Sequence, residues 1–123
     1  MMGLRAGKEA GSGTVLMTGV ALAALLLLSV VVLFAQASVA ASRAATAADL
    51  SALAGADAAR GLRDGNPCAV AAEVASLQDA RLTGCVIEGE SGHIVRISTE
   101  VDSIPALPPA SGRARAGPPS SDP

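Results

Sequence analysis

From Thr14 to Ala41 the chain carries no charged residue, reading TVLMTGVALAALLLLSVVVLFAQASVAA. A helix of roughly 20 apolar residues already crosses a hydrocarbon core of about 30 Å, so this run predicts one membrane-spanning helix. A helix apolar on every side would otherwise need a large soluble protein to bury it, and this chain has none to offer. Past Ala41 the pattern turns from large apolar to small. Residues 42–61, SRAATAADLSALAGADAARG, are mostly alanine and other small residues, Leu50 and Leu53 are their only large apolar groups, and no proline occurs before Pro67. Alanine has the best helix propensity, which predicts one continuous helix from about Thr14 to about Arg60, with residues 42–61 carrying it outside the membrane.

The next break is Gly61-Leu62-Arg63-Asp64-Gly65-Asn66-Pro67. Gly61 suits the position just past a helix end, and Asp64-Gly65 suits a turn. Asn66 can cap a second helix whose first residue is Pro67. Val70, Val74 and Leu77 share a face of that helix, which should end near Asp79–Arg81. Leu82–Glu88 and His93–Val101 flank the turn-rich Gly89-Glu90-Ser91-Gly92, and Val95, Ile97, Thr99 and Val101 alternate with Ile94, Arg96, Ser98 and Glu100. This period of two predicts a β-hairpin with one face buried. From Pro105 the chain is rich in Pro, Gly and Ser and poor in large apolar groups, the composition of a disordered tail. The expected fold class is therefore α+β. A leader (1–13) precedes the span (14–41) and its outer continuation (42–61), followed by a small αββ module (62–104) and a tail (105–123).

Composition narrows what such a chain can do. Its 123 residues include one aromatic, Phe34, and the net charge is −2. Neither a basic footprint nor an aromatic platform for stacked bases is present, so nucleic-acid binding is set aside. With the span and tail subtracted, about 40–60 residues remain, a module rather than an enzyme-sized domain. Arg5 and Lys8 before the span exceed Glu9, whereas Arg43 and Arg60 after it balance Asp49 and Asp57. The positive-inside bias then puts the N-terminus in the cytoplasm and the C-terminal part outside. One alternative starts from Ala35-Gln36-Ala37, a small-x-small site of the kind signal peptidase accepts, which would release the remainder as a secreted protein.

Little here can carry covalent chemistry. Asp49, Asp57 and Glu73 fall on helices with no cleft implied, and no Ser/His/Asp set or phosphate-loop glycine pattern is present. The expectation is a non-enzyme without cofactor. Zinc is disfavoured because His93 is the sole histidine and two cysteines cannot close a site. Cys68, in the first turn of the second helix, and Cys85, in the first strand, would staple helix to hairpin if bonded, contributing roughly 3 kcal/mol in the chain-entropy model. The other reading of the pair is two small buried thiols. Small residues recur at four-residue spacing in Gly19/Ala23, Ala44/Ala48 and Gly55/Ala59. Such faces admit a neighbouring helix in a membrane, although an alanine-rich chain shows the same spacing by chance.

The segments RAATAADLSALAGADAARG after an apolar span, then GNPCAVAAEVASLQDARLTGC, a short hairpin and GRARAGP, resemble one family. They are similar to the small TadE-like proteins of high-GC Gram-positive bacteria, relatives of the TadE/TadG pseudopilins of the tight-adherence (Flp) pilus system. The resemblance runs from Lys8 to Pro118 and is most specific at Ala47–Ala54 and at the Cys68/Cys85 pair. It implies a single-pass, pilin-like accessory of a pilus-assembly or secretion apparatus, whose partners are the membrane, other pseudopilin-like or secretion-apparatus membrane proteins, and further copies of itself. It also implies candidate processing at Gly11-Ser12. Pseudopilins of the wider group carry a glutamate five residues after the processed glycine, and here that position is Leu16. An intramembrane carboxylate is expensive and marks a function, so its absence argues against polymerisation in the manner of a major pilin.

Overall fold

The computed structural model describes residues 8–119. Its elements are α1 (Lys8–Ala59), α2 (Pro67–Leu77), β1 (Arg81–Glu88), β2 (Ile94–Val101) and β3 (Ala110–Ala116), an α+β arrangement. The chain divides into two compact units, one ending at Ala35 and the other starting at Gln36.

In the first unit α1 starts at Lys8, earlier than the expected Thr14, because no proline interrupts the chain before the apolar run. Lys8–Gly13 is thus helical rather than a flexible leader, and residues 1–7 lie outside the described residues. Every large side chain from Val15 to Phe34 is exposed, between 43% (Leu33) and 77% (Phe34). The Ser29 hydroxyl donates to the Leu25 carbonyl at 2.9 Å, so this polar group is satisfied within the helix.

The second unit is built around the C-terminal part of α1, from Ala40 onward. Gly61, at positive φ, ends the helix: its N–H donates to Ala58 O and the Leu62 N–H to Asp57 O. This is a Schellman cap, for which glycine lacks the Cβ penalty. The α2 helix opens as its sequence implies, with the Asn66 side chain accepting from the Cys68 and Ala69 N–H groups and Pro67 at the first position. It stops at Leu77, slightly early, because Asp79 takes the left-handed conformation and closes a second Schellman cap, Ala80 N–H to Ala75 O and Asp79 N–H to Ser76 O.

The three strands form an antiparallel sheet in the order β1-β2-β3. The hairpin lies where the alternation put it, with Gly89 and Gly92 at positive φ in its turn and a bulge between Leu82 and Gly84. The third strand is a correction. Ala110–Ala116 was expected to be part of a disordered tail, yet it pairs along its length with β2. Its inward residues, Ala110, Gly112, Ala114 and Ala116, are small because α1 lies directly on the strand. A Cβ at Gly112 would collide with the Ala44 carbonyl. Residues 120–123 of the expected tail lie outside the described residues.

Both helices cover one face of the sheet. Ala48, Ala52 and Ala56 of α1 and Ala71 of α2 pack on Val95 and Ile97, while Ala40, Ala44 and Ala47 pack with Ala75, Ala80 and Val101. Thr99, fully buried, donates its hydroxyl to the Ala44 carbonyl at 2.7 Å and pins β2 to the helix. The folded module therefore begins well before Leu62. The αββ segment 62–104 lacks the apolar area for a core of its own, and the alanine face of α1 together with β3 completes it.

Candidate functional site

The candidate processing, packing and disulfide residues form three groups. Gly11, Ser12 and Ala37, the candidate processing positions, all lie within α1. Gly11 and Ser12 are exposed, and Ala37 is half-buried, three residues before the first core alanine, Ala40.

The six packing positions separate sharply. Gly19 and Ala23 are exposed on the apolar stretch, and nothing lies within 4 Å of a Cβ built on Gly19. Ala44, Ala48, Gly55 and Ala59 are already occupied by their own chain. Ala44 and Ala48 are fully buried, a Cβ on Gly55 would sit 3.2 Å from Val95 Cγ1 and 3.3 Å from the Pro67 carbonyl, and Ala59 packs on the cluster holding Val95 and Ile97. Small residues let backbones approach, and the backbones admitted here belong to this chain's own sheet and second helix. Spacing within one segment carries no information about which segment approaches it.

Cys68 and Cys85 are disulfide-bonded with Cα atoms 5.8 Å apart, joining the first turn of α2 to the middle of β1. The loop enclosed, 17 residues of separation, corresponds to roughly 3 kcal/mol of unfolded-state entropy. Both cysteines of the chain are therefore bonded.

The face of the sheet turned away from the helices is charged, and sequence reasoning missed its organisation. Arg81 bonds Asp102 at 2.7 Å and lies 3.5 Å from Glu100. The hydrogen bond and charge of Asp102, then Glu100, hold the Arg81 proton more firmly than usual despite the opposing effect of desolvation. Towards the other end Glu88, half-buried, is shared by Arg96 at 3.1 Å and Arg115 at 3.2 Å. The signal lay in Gly112-Arg113-Ala114-Arg115-Ala116, whose alternation puts both arginines on one face once the segment is a strand.

Asp49, Asp57 and Glu73 are exposed helix residues, and His93 is half-buried in the hairpin loop, one residue before β2. Among the described residues no group of three His, Cys, Asp or Glu side chains is placed to hold a metal ion. No family model, curated protein or solved structure matches the chain.

Proposed function

We propose that this chain is a single-pass, membrane-anchored accessory subunit, pilin-like in plan, of a pilus-assembly or secretion apparatus, with its C-terminal module outside the cytoplasm. The observation that supports this reading best is the division along α1. Its stretch from Val15 to Phe34 exposes every large apolar side chain, while Ala40–Ala59 forms the backbone of a packed module. An exposed apolar stretch and a packed stretch on one helix suit a membrane-anchored subunit. The TadE-like resemblance points to the same class of apparatus. Arg5 and Lys8 favour a cytoplasmic N-terminus, and the disulfide suits an oxidising compartment.

Contacts with neighbouring subunits then run through side chains that the module does not use, chiefly the span itself and the exposed Leu53 on the outer side of α1. Photo-cross-linking groups placed at Leu22, Leu26 and Leu53 should yield adducts with other membrane proteins or a second copy, and one at Ala48 should yield none. Recovery of monomer alone from all four positions would remove the assembly reading.

A specific observation also makes the secreted alternative physically viable. The core starts at Ala40, so cleavage after Ala37 would release the module with its packing complete. Finding a species that begins at Ser38 in the culture medium, and no intact chain in the membrane, would favour this reading.

A further inference from the structure

The sheet ends on β3, whose hydrogen-bonded neighbour is β2 alone. Its other side is therefore an edge, where alternate residues present backbone N–H and C=O groups that no strand among the described residues takes up. The opposite edge strand, β1, is tied to α2 by the disulfide. β3 is also firmly seated, because Gly112 rests on the Ala44 backbone and every inward residue is small.

The outward side chains of this edge are cationic. Arg113 and Arg115 are exposed, and Arg96 lies directly opposite Arg115 on β2. Three guanidinium groups thus crowd one corner. Its carboxylate, Glu88, is already divided between Arg96 and Arg115, and among the described residues Arg113 has no ion-pair partner. A shallow depression of about 360 Å³ over β2 and β3 is lined by Arg96, Arg113, Ala114 and Arg115.

We propose that the β3 edge is a docking site for an extended acidic segment of a partner polypeptide, which adds as a fourth strand. Main-chain bonds along the edge would supply affinity, and carboxylates at alternate positions of the incoming strand would face Arg113 and Arg115, spaced about 6.8 Å apart along a strand. A second copy of this chain is a poor occupant. β3 against β3 sets arginines beside arginines, which is unfavourable across strands, and on β1 the acid Glu88 is already engaged. The proposal does not depend on the apparatus in which the chain works.

The test uses the full chain in nanodiscs of zwitterionic phosphatidylcholine, titrated with a labelled peptide of alternating valine and glutamate. Saturable binding is expected, with new amide-exchange protection in β3. The double variant Arg113→Glu/Arg115→Glu should weaken it by about tenfold or more, since two attractive cross-strand pairs become repulsive. Unchanged exchange in β2 and a retained disulfide would show that this variant is folded. A peptide of identical charge with a central valine replaced by proline should not bind, because proline cannot complete a ladder. Equal binding of the proline peptide would reduce the interaction to diffuse charge attraction and overturn the proposal. So would the absence of binding, or indifference to the arginine changes. Association with phosphatidylglycerol vesicles without peptide binding would instead assign the arginines to a lipid surface.

Discussion

Replacing Gly112 by alanine is the smallest change that probes how the module is built. Gly112 has no positive φ, so on backbone grounds alone the substitution should stabilise by about 0.4–1 kcal/mol through the unfolded chain. Packing demands the opposite sign. The added Cβ would overlap the Ala44 carbonyl and lie 2.7 Å from the Ala45 nitrogen, and both are helix backbone with no rotamer to yield. To regain ordinary contact, α1 and β3 must separate by about 1 Å, since carbon contacts are optimal near 3.5–4.0 Å. Overpacking of this kind costs about 1–3 kcal/mol. The separation also stretches the 2.7 Å bond from Thr99 to the same Ala44 carbonyl, forfeiting about 0.5–1.5 kcal/mol. A net loss of about 0.5–4 kcal/mol follows, with a midpoint near 2 kcal/mol, which at about 4–8 °C per kcal/mol for a unit of this size lowers Tm by roughly 8–16 °C. Thermal unfolding followed by circular dichroism in detergent, with the disulfide intact, measures it. Gly19→Ala, whose Cβ meets nothing within 4 Å, should leave the module's Tm unchanged. A Gly112→Ala variant as stable as the wild type, or more so, would refute the close seating of α1 on β3.

Three further outcomes are expected. Thr99→Val, nearly isosteric, should lose about 0.5–1.5 kcal/mol because only the buried hydroxyl bond to Ala44 is removed, and chemical denaturation reads this. Cys85→Ser should lower stability by roughly 3 kcal/mol and open the α2–β1 region to protease, as limited proteolysis would show, whereas protection equal to the wild type would deny the bond its role. An alkaline phosphatase fused after Pro119 should be active, since the module is proposed to lie in an oxidising compartment, and activity only from a cytoplasmic reporter would invert the topology.

Much of this architecture was legible because its signals are local. The apolar run, the Gly61 stop, the Asn66-Pro67 start and the alternation of Val95, Ile97, Thr99 and Val101 each follow from one stretch of chain, and each element is found there. The third strand was not legible for a physical reason. A strand normally declares itself by large inward side chains, and β3 has only Ala and Gly facing inward because the helix leaves room for nothing larger. The same fact misdirected the reading of the helix. Ala44, Ala48, Gly55 and Ala59 sit against segments of their own chain, and spacing within one segment carries no information about which distant segment arrives. The arginine corner became visible only once β3 existed, since its alternation has no face until the segment is a strand.

The most direct measurement for the anchored reading is the intact mass of the protein recovered from washed membranes under non-reducing conditions. The expected species retains residues 14–37 and is two hydrogens lighter than the free-thiol form, with or without the residues up to Gly11. A sole species beginning at Ser38, found in the soluble fraction, would contradict the anchor.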